Sequence, residues 1–419
     1  MAANPGIIDS VGSLTLVELK GAVTGMGAAF RSVTKLQPVG GEGDKVFPVT
    51  YSGGAYATER RVLDGRLVDC VLIDSVQSQA NRAEEALKAA VERGRMQLPL
   101  VEVNFQEAKA QFRNPLPNLT TLDVPHRLAD AILRDSLLAD GTRFSKSQYA
   151  LQWGRSNLWN ATAVYELCPT ALVFGMWGSP DKPGGLGAKF ERAFVSEIVA
   201  VDVIGNTREG TENEEFQGRK DFVNTRAGFR IDPLNLSKHV PVKQNEDGSF
   251  QVGAGKTRPS EINHGNIPFE TANSGIRFRY AEQTTVVSLG ALRKLRFPVN
   301  GKDDPHVNDA ARTVLTALGL CAGVLASEMN TSLRSRCHLW PVEEREWELV
   351  EKPGRPPRKF RMNGQEAIML LQEAVKAAED LKLTWMKQKL TLKPSPELIE
   401  LVRQSQEVKA KEKGEGEAQ

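Results

Sequence analysis

The run TVLTALGLCAGVLAS, Thr313 to Ser327, constrains this chain most: fifteen residues carry no charge between Arg312 and Glu328. A membrane-spanning helix needs about 20 apolar residues, so the run is too short to be one. It reads instead as a helix buried in a soluble core. Gly319 and Gly323 lie four apart, so a neighbour can approach one face closely. The start, MAANPGIIDS, has no basic n-region and no apolar h-region. The expectation is a cytoplasmic protein without membrane contact.

Other elements follow from periodicity and caps. VDCVLIDS (Val68 to Ser75) reads as a buried strand. It leads into a helix rich in strong formers from Ala83 to Arg93, stopped at Gly94. VFPVTYSGG reads as a strand ending in a turn, and LPLVEVNF as a further strand. A helix is expected from Asp123 with Pro125 in its first turn. Its stripe is Leu128, Ile132 and Leu133, with Arg127, Asp130 and Arg134 opposite. TALVFGMW (Thr170 to Trp177) and FVSEIVAVDVI (Phe194 to Ile204) read as strands. The glycine- and proline-rich connection between them is too long for a tight hairpin. EAIMLLQEAVKAAEDL is an amphipathic helix, and the Lys/Glu-rich tail from Arg403 reads as disordered.

For 419 residues the length allows two or three domains or one enlarged domain. The pattern favours one domain over residues 1–402, with a glycine-rich loop at about 178–192 and a polar insertion at about 207–261. Residues 403–419 form the tail. Strands and helices do not alternate regularly, which predicts an α+β fold of ferredoxin-like type decorated by insertions, not a doubly wound sheet.

The search for chemistry is negative. GAGKT (Gly253 to Thr257) lacks the first glycine of a phosphate loop, because that place holds Phe250. Gly184, Gly185 and Gly187 do not make a dinucleotide fingerprint. There is no nucleophile elbow, no C-x-x-C and no H-E-x-x-H among the five histidines. No cofactor, metal site or catalytic residue is expected, so the chain is not read as an enzyme. The four cysteines are widely spaced, which suits reduced thiols.

Lys plus Arg is 54 against 52 for Asp plus Glu, a net charge of +2, so nucleic-acid binding requires a local basic surface. GIRFRY supplies one: on a strand, Arg277 and Arg279 share one face and Phe278 and Tyr280 the other. Arg293, Lys294 and Arg296 follow in ALRKLRF. Asn81 with Arg82, Arg155 after Gly154, and Lys182 with Lys189 combine basic or polar groups with turn chemistry.

Five blocks, in order, point further: LIDSVQSQANRAEEAL, PHRLADAILRDS, TALVFGMWGS, GGLGAKFERAFVSEIVAVDV and PSEINHGNIPF. Over roughly residues 55–345 the chain resembles the backbone subunit of the type I-G (formerly I-U) CRISPR Cascade. This is the Cas seven-type member of the repeat-associated mysterious protein superfamily. The resemblance implies an RNA-recognition-type palm with large finger and thumb insertions. It further implies that copies line up along a guide CRISPR RNA, beside other Cascade subunits, and present its bases to target DNA. It implies antiviral defence without chemistry by this subunit. On block position, Asn81, Arg82, Arg155, Lys189 and Arg192 are the RNA contacts, with Lys182, Arg277 and Arg279 from the residue reading. Ser196, Glu197 and His264 brace the palm or a contact between copies. Asp181 is a weak match to the catalytic aspartate of RNA-cleaving relatives. The alternative is a stand-alone, metal-independent RNA-processing endonuclease with His264 as general base. A structural oligomer without nucleic acid is a third reading.

Overall fold

The computed structural model describes residues 12–51, 55–178, 188–204, 240–245, 249–255, 259, 275–329 and 332–416. The chain divides into two compact units, where the sequence suggests one enlarged domain. The first comprises Met1–Asn104, Asn118–Glu209 and Gly275–Ser395, and the second Phe105–Pro117, Gly210–Ser274 and Pro396–Gln419.

In the first unit the main elements are α1 (Leu16–Thr24), β1 (Ala29–Pro38), β2 (Thr58–Leu63), β3 (Arg66–Asp74) and α2 (Val76–Glu92). They are followed by β4 (Phe194–Ile204), β5 (Arg277–Ser288), α3 (Pro305–Met329), β6 (Ser332–Arg334), β7 (Cys337–Pro341), β8 (Trp347–Val350), β9 (Arg358–Phe360) and α4 (Gly364–Glu379). The main sheet runs β6-β7-β1-β5-β4-β3-β2, with β8 also pairing β1, and β9 pairing β8. Every one of these pairings is antiparallel. The fold is α+β, as expected.

Alternation explains how the sheet is faced. In β1, Phe30, Ser32, Thr34 and Leu36 are buried, while Val33 and Lys35 are exposed. Helices cover the first of these faces. α2 starts at Ser75, whose hydroxyl accepts the Ser78 amide, and stops where Gly94 takes φ +68, the left-handed turn that favours glycine. α3 packs against α1, α2 and α4. By length and composition it could cross a membrane, yet most of its apolar stretch is buried within the protein. Its glycines let it lie close to its neighbours. A Cβ on Gly319 would sit 3.1 Å from Val287, and one on Gly323 3.1 Å from Trp347 and 3.2 Å from Phe194.

Under the helices, Asp74 is wholly buried at the end of β3. Its carboxylate pairs with Arg82 of α2 at 2.9 Å and Arg334 of β6 at 3.0 Å, and accepts from Ser78 and Gln79. A second buried pair joins α2 to a loop: Arg127 Nε and Nη2 donate to the two oxygens of Glu84 at 2.6 and 2.7 Å. A smaller sheet joins Leu119–Thr120, Val101–Val103, Leu390–Pro394 and Ser136–Leu137.

Several elements differ from the sequence reading. Thr170–Phe174 is a helix and only Met176–Trp177 a strand. Every residue of that helix is buried, so its apolar run lacks the polar face that separates helix from strand. The helix expected from Asp123 is broken into a 3₁₀ turn, Arg127–Ala129, and a short helix, Ala131–Arg134, capped by Asp130. Arg127 adopts φ +50 and turns inward to Glu84 instead of lying on the outer face. VFPVT contributes only a bridge, Val46 to Ile276, not a strand.

In the second unit, residues expected to form a disordered tail continue a helix, α5 (Pro396–Gly416). Arg403 pairs with Glu400 at 2.7 Å and Glu407 at 2.5 Å, the i,i+3 and i,i+4 spacing that supports a solvated helix. Gln406 holds it to Asn114 through both of that residue's backbone groups, at 3.0 and 2.9 Å. The polar insertion lies outside the described residues, apart from a hairpin of Val242–Gln244 with Phe250–Val252 and a few flanking positions.

Removing the Asp74 carboxylate leaves two inward arginines without it. Asp74→Ala should destabilise the protein by about 3–5 kcal/mol, read from urea unfolding. A loss under about 1 kcal/mol would show that the network does not hold the sheet to α2.

Candidate nucleic-acid interface

Three cations converge where β5 emerges beyond the bridge at Val46. Gly275 opens this segment at φ +89, and its amide donates to the Tyr56 hydroxyl at 2.8 Å. Glycine is required here, because a Cβ would lie 2.6 Å from Lys45 Cε and 3.0 Å from the Val46 carbonyl. Phe47 forms the floor, its amide donating to the Arg336 carbonyl at 3.0 Å. Lys45 Nζ lies 5.5 Å from the Phe47 ring centroid and the Arg336 guanidinium carbon 4.2 Å. Both lie within cation–π range. Partial burial, then the charges of Arg277 and Arg336, pull the Lys45 ammonium below its ordinary range.

None of Lys45, Arg277 and Arg336 forms an ion pair among the described residues. Asp44, the nearest acid in sequence, accepts the Lys45 backbone amide. Like charges held together beside an aromatic ring, with no ion-pair partner among the described residues, favour an anion with a stackable plane. Phosphate and base together offer both.

The expected alternation holds at this end of β5: Arg277 and Arg279 are exposed, Phe278 is buried and Tyr280 half-buried. On the open face of the sheet, Lys35 Nζ lies 5.0 Å from the Tyr280 ring and opposite Glu282 in register. The second basic run is committed elsewhere. Arg293 donates to the carbonyls of Ala22, Val23 and Gly27, closing the end of α1. Lys294 pairs with Glu191 and Arg296 with Asp303.

The remaining candidates separate. Arg82 is held by Asp74 and the Leu333 carbonyl, so its guanidinium braces the interior. Asn81 beside it on α2 is exposed. Arg155 is exposed at the end of the helix Gln148–Gly154. Lys189 lies 4.7 Å over the ring of Trp177, itself 70% exposed, on a paired two-residue strand. Arg192 is half-buried against Gly175, and burial followed by the charge of Arg127 lowers its pKa. Ser196 bonds Thr285 at 2.8 Å and Gln79 at 3.1 Å, a brace, and Glu197 pairs with Arg61. Lys182, Asp181 and His264 lie outside the described residues.

Sequence reading missed Lys45, Phe47 and Arg336. Lys45 and Arg336 are almost 300 residues apart, and neither is flanked by a basic run. A faint signal was the alternation in DKVF, with lysine and phenylalanine on the same side of an extended segment.

A sequence-family description, "CRISPR-associated protein GSU0053", matches residues 30–205, less than half of the chain. The match supports a CRISPR-associated role. No curated protein matches. Among solved structures, Csc2 of Thermofilum pendens aligns at 10% identity over 87% of this chain and 77% of its own, with a TM-score of 0.29.

Replacing Lys45, Arg277 and Arg336 together by Ala should flatten the salt dependence of single-stranded RNA binding by up to ~2.1 in log–log slope, at ~0.7 per phosphate. Arg82→Ala should lower the unfolding midpoint and leave that slope unchanged. The reverse pattern would place the groove at α2.

Proposed function

We propose that this chain is a backbone subunit of a type I-G CRISPR Cascade, an RNA-binding protein that holds guide RNA by its phosphates and performs no chemistry itself. The single observation that carries the reading is the cluster of Lys45 and Arg336 over Phe47 with Arg277 beside Lys45, none of them in an ion pair among the described residues. The family match over residues 30–205 supports the CRISPR context.

The palm fits the same reading. With the β2–β3 hairpin set aside, the order is strand, helix, strand, strand, helix, strand: β1, α2, β4, β5, α3, then β7 and β8. β5 lies between β1 and β4, and β7 and β8 flank the other side of β1. This order supports reading the sheet as a ferredoxin-like split arrangement with the hairpin added beyond β4. Copies along a guide RNA would leave its bases free to pair with target DNA, alongside other Cascade subunits.

A subunit of this kind binds by charge and length, not by sequence. The full chain should bind single-stranded RNA of mixed composition with affinities within a few-fold of one another, and tighter as the RNA lengthens. Protein purified from its own operon should carry RNA, read as excess absorbance at 260 nm. Protein free of nucleic acid, with no affinity for long single strands, would overturn the reading.

A further inference from the structure

The strand order leaves two complementary surfaces at opposite edges of the main sheet. At one edge the β7–β8 connection and the facing ends of α3 and α4 line an open cavity of about 680 Å³. Trp340 and Val342 stand at its mouth, 58% and 51% exposed. Arg345 lines it, and its Nη1 donates to Gln283 Oε1 at 2.6 Å. No carboxylate pairs with Arg345 among the described residues, and burial alone pulls its pKa down to about 10. The neighbouring Arg361 is already held by Glu344 and Glu346. Glu343 and Glu366 add negative charge to the lining.

A half-buried cation whose side-chain partner among the described residues is a neutral amide lacks the counter-charge that buried charges ordinarily have. The acidic lining disfavours a polyanion. A single carboxylate with apolar groups beside it and a cation behind it fits both features.

The other edge carries that combination. β2 and β3 meet in a two-residue turn, with Asp64 at φ +50 and Gly65 at φ +74, the hairpin geometry that an Asp-Gly pair favours. Val62 and Leu67 are cross-strand partners, 71% and 63% exposed. Asp64 and Arg66 are exposed, and neither has an ion pair among the described residues.

We propose that the β2–β3 tip of one copy docks in the Arg345 cavity of the next. Asp64 meets Arg345, Arg66 meets Glu343 or Glu366, and Val62 and Leu67 cover Trp340 and Val342. Because the two surfaces differ, the contact is heterologous and repeats head to tail into an open row. This rests on the reading that copies line up along RNA, and names the contact between them.

The test uses the full chain with long poly(U) and with an oligo(U) that accommodates one copy, followed by sedimentation. Asp64→Arg spoils the tip. Arg345→Asp spoils the cavity, and Val342→Asp, at an exposed position, does so without touching the interior. Each variant should bind oligo(U) as wild type does, while affinity between neighbours on poly(U) falls ~30-fold or more. An equimolar mixture of Asp64→Arg with Val342→Asp chains should give pairs and nothing longer, since one intact tip still meets one intact cavity. Combining Asp64→Arg with Arg345→Asp in one chain should restore rows. Wild-type rows in both Asp64→Arg and Val342→Asp would overturn this contact and leave the function standing, with the cavity open to another protein's acidic side chain. Wild-type chains that bind oligo(U) but stay isolated on poly(U) would overturn both the contact and the alignment of copies. Chains that bind neither RNA would overturn the function itself.

Discussion

The Asp74 carboxylate is the interaction on which the first unit depends. It ends β3, lies beside the first turn of α2 and faces β6, and no part of it reaches solvent. Two arginines from segments more than 250 residues apart close on it. Gln79, which donates to Asp74, accepts from Ser196 and Gln283, and Gln283 in turn accepts from Arg345. A hydrogen-bonded path thus runs beneath the helices from one side of the sheet to the other. Such networks are costly when incomplete, so they fix one arrangement of the elements they join.

That network decides which cations remain for a ligand. A net charge of +2 does not distinguish a binding protein from any other globular chain. Position does. Arg82 and Arg334 answer Asp74, Arg127 answers Glu84, and Arg293 and Arg312 are spent on backbone carbonyls. Lys45, Arg277 and Arg336, which form no ion pair among the described residues, stand together where β5 extends past the bridge at Val46. A guanidinium already held by a buried carboxylate has little left to offer a phosphate. The group at the strand end, without an ion pair among the described residues, is unspent.

Strongly patterned elements were legible from sequence. Gly94 ends α2 as expected, although the helix begins at Val76 and not at Ala83; the β-branched run FVSEIVAVDVI gives β4, and the glycines of α3 mark its close packing. Uniformly apolar or strongly charged segments misled. Thr170–Phe174 has no polar face to reveal its period, and α5 is charged on its surface yet held as a helix by pairs one turn apart. At the interface, period two placed Arg277 and Arg279 outward, because that spacing is a property of the strand itself.

Arg82 and Arg277 mark the division. By itself the sequence determined the periodic elements, the buried apolar helix and the outward face of GIRFRY, since each follows from spacing along a single stretch of chain. The tertiary structure alone decided that Arg82 turns in to Asp74 and that Lys45 and Arg336 come to stand beside Arg277. Charge pairing is settled by distance in space, and loop closure over hundreds of residues leaves no trace in local spacing.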